Sequence, residues 1–236
     1  VTPKMADDLV NPAREELSTV FAFEHMETDC YKIKWFLRRF NPDCFFACLT
    51  KWQKALPWNT VYLENHDQPR SVSRFGNDTQ YHDESAKALA TLVLTLRGTP
   101  FLYEGQEIGM TNFDFPDMQK VRDVESINIW NIGKRLHLPR SLRWRMIKTK
   151  SRDNARTPMQ WNDSPNAGFT TGTPWLSVNG NYPRINVAEQ ENAPNSVLAY
   201  YRQLIAFRNG SEILQAGDFS ELYRNCLLYT SDAADE

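Results

Sequence analysis

Val61-Tyr62-Leu63-Glu64-Asn65-His66-Asp67-Gln68-Pro69-Arg70 is the stretch whose reading decides the fold. Val61, Tyr62 and Leu63 form a short apolar, β-branched and aromatic run, the signature of a buried strand. Pro69 cannot donate to a sheet ladder and biases Gln68 toward an extended backbone, so the strand is predicted to stop with His66 and Asp67 at its carboxyl end. In parallel α/β architectures that edge carries chemistry. Taken alone, the His-Asp pair reads first as a capped loop whose Asp accepts backbone hydrogen bonds, and only the rest of the chain shifts that reading toward chemistry.

Outward from this stretch, strands and helices alternate. Upstream, 20–23 (Val-Phe-Ala-Phe) reads as a strand running into Glu24-His25, and 45–56 has helical spacing through Phe46, Leu49, Trp52 and Leu56. Farther upstream, Asn11-Pro12 with Glu15 and Glu16 gives a helix-start signal, so a short helix is predicted after it. Downstream, Ala86, Leu89, Ala90, Val93 and Leu94 recur at i, i+3, i+4 intervals as one face of a helix, which Gly98-Thr99-Pro100 ends. Phe101-Leu102-Tyr103 is a third buried run, closing on Glu104-Gly105-Gln106-Glu107. Three strands separated by helices and ending in polar residues are the pattern of βα units in a parallel sheet or barrel.

Asp123 is placed to cap a helix over 124–132. A second helix is expected around 142–147, within a basic stretch (140–150) that reads as an amphipathic helix with a solvated face. Residues 157–194 are rich in Asn, Gly, Pro, Thr and aromatics and too long for an ordinary connection. Trp161, Phe169, Trp175 and Tyr182 are read there as hydrophobic anchors of the loop, with sugar stacking as the alternative. A last helix is predicted over 196–208.

Composition narrows the function classes. With 236 residues, 41% of them apolar and 24% charged, the chain is ordinary globular protein, and a formal net charge of -2 offers no field for a polyanion. Nucleic acid is therefore not an expected partner. No apolar run approaches the ~18 residues of a membrane span, and Val1 opens a polar segment unlike a signal peptide. Localisation does not follow from this, since the first residue is not Met, and the cytoplasm, away from any membrane, stands as the expectation. Cys30, Cys44, Cys48 and Cys226 lack paired CxxC spacing and read as buried thiols. A zinc site built from His25 and the first three cysteines is the alternative. No metal and no cofactor is expected.

Six segments in a fixed order remove the ambiguity: NHDQPR (65–70), SRFGND (73–78), GTPFLYEGQEIGM (98–110), VRDVESIN (121–128), RDNARTPMQW (152–161) and AGFTTGTPW (167–175). Together they resemble the oligo-1,6-glucosidase and α-glucosidase branch of glycoside hydrolase family 13, the α-amylase superfamily, over about residues 1–208 and on toward 223. The resemblance implies a (β/α)8 TIM barrel whose strand ends hold three carboxylates: a nucleophile after the fourth strand, an acid/base after the fifth and a third acid after the seventh. On that match Asp67 is the third acid, stabilising the transition state, and His66 contacts hydroxyls of the glucose being cleaved. Arg152 binds the same glucose, Glu125 is a carboxylate near the aglycone side, and Lys34 is a lysine near the entrance. Arg70, Arg74, Glu104 and Glu107 are read as scaffolding around the cleft.

The same comparison implies an α/β chain corresponding to the C-terminal part of that barrel (1–210), followed by the start of a C-terminal β-domain (211–225). The segments bearing the nucleophile and the acid/base are expected to precede Val1, and Asp7, Asp8 and Glu15 sit in no matching motif. The expectation is therefore a retaining α-glucosidase, monomeric as a whole, that acts on short α-glucosides with 1,6 links, of which these residues alone hydrolyse nothing and fold poorly. Trehalose-6-phosphate hydrolases and sucrose isomerases share similar NHDQPR and RDNxRTPMQW segments and are the enzymatic alternatives. A non-catalytic homologue like the heavy chains of amino-acid transporters, or a sugar-binding module, is the alternative outside catalysis. Residues 226–236, read back into codons, look like a transposon-end sequencing adaptor and are expected to have neither fold nor function.

Overall fold

A computed structural model of the protein describes residues 2–217, 219 and 220. In chain order the elements are α1 (Pro3–Val10), α2 (Pro42–Ala55), β1 (Thr60–Val61), α3 (Ser71–Phe75), α4 (His82–Thr95), β2 (Thr99–Pro100), α5 (Val124–Arg135), α6 (Arg140–Lys150), α7 (Val187–Glu191), α8 (Val197–Asn209) and α9 (Glu212–Ala216). Single 3-10 turns at Glu24–Glu27, Gln106–Ile108, Met118–Lys120, Arg152–Ala155 and Pro165–Gly168 shape the connections. The result is a partial α/β barrel, mostly helical, with few strands.

β1 and β2 run parallel, Thr60 opposite Thr99 and Val61 opposite Pro100, with α3 and α4 between them. The parallel βα reading of the sequence therefore holds. The strands are shorter and begin slightly earlier than the apolar runs suggest. The donors toward β1 are Thr99 and Phe101, whose N–H groups reach the Asn59 and Val61 carbonyls, both at 2.8 Å, so the missing N–H of Pro100 falls on the side away from β1 and costs this pairing nothing. Close approach of the two strands depends on Gly98, whose φ is +131° and whose missing Cβ would lie 2.2 Å from the Asn59 carbonyl oxygen.

The main core is built from the inward faces of α2, β1, α3, α4 and α8, with Phe45, Val61, Leu63, Val72, Leu89, Val93, Leu94 and Tyr201 all buried. Leu89, Ala90, Val93 and Leu94 form one stripe of α4, as their helical spacing predicts, and α8 lies against that helix. A second cluster of Trp35, Phe115, Val121, Met146 and Ile147 sits under the α5–α6 hairpin.

Three expectations are corrected. The first helix precedes Asn11 instead of following it: Thr2 caps α1 by accepting from Met5 N–H and Pro3 takes its first turn, while Asn11 Oδ1 accepts from Ala13 N–H in a local turn. Residues 20–23 form no ladder, and are held to β1 by side chains, through Thr60 Oγ1 donating to Val20 O and the Tyr62 hydroxyl donating to Ala22 O. Cys44 is exposed, unlike Cys30 and Cys48. On the amphipathic helix α6 one cation leaves the solvated face: Lys150 is buried beside Met146 and Ile147 and donates to Asp29 Oδ2 at 2.6 Å.

The long loop 157–194 is also anchored differently from its reading. Trp161, Phe169 and Trp175 are half or more exposed, whereas Met159, Gln160, Leu176, Ile185 and Asn186 are buried. Asn179 fastens it by donating to the Thr111 and Asn112 carbonyls, both at 3.1 Å. Of the stretch 211–225, residues 212–216 are helical (α9), while 218 and 221–225 lie outside the described residues, as do Cys226 and the adaptor-like stretch 226–236. No described helix is long and apolar enough to cross a membrane.

Candidate active site

The carboxyl end of β1 turns through a local hydrogen-bonded loop. Asn65 Oδ1 accepts the Asp67 N–H at 2.8 Å, and the Gln68 N–H returns to the Asn65 carbonyl. This turn presents His66 and Asp67 outward, with side chains 70% and 44% exposed. Directly below lies a buried ion pair. Arg70 Nη1 donates to Glu64 Oε2 at 3.1 Å and to the Glu104 carbonyl at 2.6 Å, and Glu64 Oε1 accepts from both the N–H and the hydroxyl of Ser71. The open turn thus rests on a rigid, desolvated support tied to the end of β2.

A second arm reaches the turn from the segment after α6. Ser151 accepts from Asp153 N–H and starts the 3-10 turn that places Arg152 and Arg156 beside Asp67. Arg156 Nη2 donates to Asp67 Oδ1 at 2.7 Å and its Nε to the His66 carbonyl at 2.8 Å. Arg152 Nη1 lies 3.6 Å from the same Asp67 oxygen. The rest of the Arg152 guanidinium is taken by Asp123, whose Oδ1 accepts from Nε at 2.8 Å and from Nη2 at 2.6 Å.

Asp123 has two duties. Its side chain caps α5, accepting from the N–H groups of Glu125 and Ser126, and it is wholly buried. Burial opposes its ionisation, but hydrogen bonds from Arg152 and Ser126 outweigh that effect and hold its carboxyl below the usual range. The same contact holds Arg152 above its ordinary value. Behind it, Asp153 Oδ2 accepts the N–H groups of Arg122 and Asp123 at 2.6 and 2.9 Å, which sets the helix entry.

From Arg152 the contacts pass to the residues named for the aglycone side. Glu125 Oε2 is 3.8 Å from Arg152 Nε and accepts from Lys34 Nζ at 2.6 Å, while its Oε1 accepts from Trp35 Nε1 at 3.2 Å. All five residues singled out in the sequence, His66, Asp67, Arg152, Glu125 and Lys34, are therefore joined in one continuous polar surface. Beside it opens a recess of about 320 Å³ whose walls include Phe21, Phe23, Asn65, His66, Phe101 and Tyr103.

Two members of this cluster went unremarked in the sequence as site residues. Arg156 falls in the run 152–156, where spacing gives no sign that it, and not Arg152, makes the short bond to Asp67. Asp123 was legible only as a helix cap. The supporting role expected of Arg70 and Arg74 corresponds to their positions: Arg74 is nearly buried and pairs with Asp29 through Nε and Nη2, both at 2.8 Å. Glu104 engages Arg70 through its backbone alone, and burial raises the Glu107 carboxyl. His25 Nε2 hydrogen-bonds the Tyr62 carbonyl, and among the described residues no group of three or more His, Cys, Asp and Glu side chains is arranged to hold a metal ion.

Comparison with known proteins gives consistent results. The profile described as alpha amylase, catalytic domain, matches residues 1–217. An oligo-1,6-glucosidase of Parageobacillus thermoglucosidasius is 48% identical over 225 residues, which cover 93% of this chain and 40% of that protein. The crystal structure of trehalose-6-phosphate hydrolase from Bacillus licheniformis superposes with a TM-score of 0.91 at 41% identity, covering 95% of this chain and 41% of that one. Isomaltulose synthase from Klebsiella also gives 0.91, at 36% identity, with coverage of 95% and 42%. The chain spans about 40% of the length of the curated relatives it matches.

Proposed function

The chain belongs to the alpha-amylase catalytic-domain family, glycoside hydrolase family 13, and from that premise we propose that it is the carboxyl-terminal part of the barrel of a retaining α-glucosidase acting on short α-glucosides, isomalto-oligosaccharides first among them. The observation that supports this reading best is the polarity of the Asp67 carboxylate. Arg156 occupies its Oδ1, while Oδ2 faces the exposed His66 at 3.5 Å and no stronger partner among the described residues.

Retaining cleavage passes through an oxocarbenium-like transition state served by two carboxyls about 5–5.5 Å apart, one attacking the anomeric carbon and one protonating the departing oxygen. Neither is assigned to these 236 residues, and we assign both to the remainder of the parent polypeptide. Asp67 has the third task. A carboxylate accepting hydroxyl hydrogen bonds from the ring strengthens those bonds as the sugar flattens and becomes cationic, so it lowers the barrier more than it tightens ground-state binding. His66 supports it with a donor on the same ring. Arg152, anchored by Asp123, supplies a fixed positive edge for a neutral sugar hydroxyl, and Glu125 with Lys34 lines the path of the leaving group.

The test is the complete enzyme assayed on isomaltose, panose, trehalose 6-phosphate and sucrose, with the anomer released followed by NMR. Turnover of isomaltose and panose with net retention is the expected outcome, and residues 1–236 alone should give none. The second reading, trehalose-6-phosphate hydrolysis, is favoured by the superposition reported above, and preferential turnover of that substrate would establish it in place of the first. Absence of cleavage on all four sugars would overturn the α-glucosidase reading.

A further inference from the structure

Resting on the reading of Asp67 as the acid that faces the reacting sugar, we infer that Arg156 is its positioning residue: the guanidinium that holds Asp67 Oδ1 so that Oδ2 is presented to substrate. Arg156 makes two bonds with different consequences. Nε donates to the His66 carbonyl at 2.8 Å, fixing the guanidinium to the backbone immediately before Asp67, and Nη2 donates to Asp67 Oδ1 at 2.7 Å. Backbone and side chain of one turn are thereby held by one rigid plane, a geometry that the point charge of a lysine does not reproduce. Arg152 does not substitute for it. Its nearest nitrogen is 3.6 Å from Asp67 Oδ1, beyond hydrogen-bonding range, and its fork is spent on Asp123.

The need for such a clamp follows from exposure. The Asp67 side chain is 44% exposed and would otherwise rotate among solvated rotamers, whereas a group that acts only in the transition state must be aimed beforehand. Arg156 is itself well founded. The carbonyl of the preceding Ala155 accepts from the Tyr103 hydroxyl at 3.1 Å and from Arg70 Nη2 at 3.3 Å, so its backbone is tied to the end of β2 and to the buried Arg70.

The experiment is a double-mutant cycle in the complete enzyme, with isomaltose and a nitrophenyl α-glucoside as substrates. Arg156→Ala is expected to lower kcat by roughly 10- to 100-fold while KM changes by less than about threefold, and added guanidinium ion should restore part of the loss. In an Asp67→Asn background the same substitution should cost less than about threefold further, because its target is already gone. Arg156→Lys guards against a variant that fails to fold: it is expected to keep the wild-type Tm and still lose kcat. Wild-type kcat in Arg156→Ala, or equal losses in both backgrounds, overturns the assignment alone. A complete wild-type enzyme that cleaves neither substrate removes the functional reading and this assignment with it.

Discussion

Asp123 takes the Arg152 guanidinium on one carboxylate oxygen, Oδ1, which accepts from Nε at 2.8 Å and Nη2 at 2.6 Å, while both oxygens cap α5, Oδ1 accepting the Glu125 N–H and Oδ2 the N–H and hydroxyl of Ser126. Helix entry and guanidinium orientation are thus one structural event. Asp123→Ala removes a cap worth about 1 kcal/mol and strips a largely enclosed arginine of its counter-charge. A total loss of about 2–4 kcal/mol is expected, less than for a fully buried pair because the Arg152 side chain is 28% exposed. Urea unfolding of the complete enzyme measures it. Asp123→Asn keeps part of the cap and should lie between the two, and a loss under 0.5 kcal/mol for Asp123→Ala, roughly the scatter of surface substitutions, would show that the pair carries no stability.

Asp67→Asn tests chemistry instead of folding. The substitution keeps the shape of the side chain and one hydrogen-bonding oxygen but removes the charge that answers the cationic ring. Several kcal/mol of transition-state stabilisation correspond to roughly a 10²- to 10³-fold fall in kcat of the complete enzyme. KM and Tm should move little. An unchanged turnover number in a correctly folded Asp67→Asn enzyme would take this residue out of the mechanism.

Histidine 25 gives the chain an acid limit. Burial lowers its pKa from 6.5 to about 4, against the opposing effect of its hydrogen bond to the Tyr62 carbonyl, which as an acceptor requires Nε2 to carry the proton of the neutral ring. The unfolded chain takes up a proton near 6.5 and the folded one only near 4, so the unfolded state holds more protons between those values. The stability this site contributes is complete above the higher pKa and is lost as pH falls through the lower one, by up to about 3 kcal/mol. His25→Gln can still donate to Tyr62 without titrating. Its Tm relative to wild type should therefore rise as pH drops from 7 to 4, and parallel curves for the two proteins would contradict the assignment.

Lysine 150 acts at the other end of the scale. Burial, then repulsion from Arg74, lowers it from 10.5 to about 8, in spite of its bond to Asp29. Between those values the folded protein has released a proton that the unfolded chain still binds, so stability from this site rises with pH across that window. In differential scanning calorimetry the wild type should gain on Lys150→Met between pH 8 and 10. A constant gap would mean that the ammonium is not desolvated.

How much of this was legible beforehand varies with the range of the interactions. The α4 stripe of Leu89, Ala90, Val93 and Leu94 and the Asp123 cap could be read because their signals are local and periodic. The parallel pairing of β1 and β2 was legible in kind but not in extent, since the paired residues are Thr99 and Pro100, with Phe101 N–H donating to the Val61 carbonyl, while the apolar run continues to Tyr103. The first helix was misplaced because Asn11-Pro12 carries the same cap chemistry as Thr2-Pro3, and only the turn at Ala13 tells them apart. Arg156 was hidden for a different reason. Its partner lies 89 residues away, and which of two arginines in one short turn reaches Asp67 depends on how that turn docks. No spacing rule encodes such a distance.

Gly98 supplies a test of the frame that carries the whole site. Its φ of +131° is one that side-chain-bearing residues rarely adopt, and an added Cβ would stand 2.2 Å from the Asn59 carbonyl oxygen. That oxygen accepts the Thr99 N–H at 2.8 Å, the hydrogen bond at the start of the β1–β2 pairing. Gly98→Ala must therefore either strain the backbone or push the strands apart, at a cost of about 2–4 kcal/mol from dihedral strain and a lost buried hydrogen bond. Because Asn65, His66 and Asp67 follow β1 directly, kcat/KM of the complete enzyme should fall together with the urea midpoint. Gly180→Ala is the control, since an added Cβ there meets nothing within 4 Å and should change stability by less than about 0.5 kcal/mol. Equal tolerance of the two substitutions would show that the close approach at Gly98 does not set the position of β1, and the route from sheet pairing to the Asp67 turn would have to be abandoned.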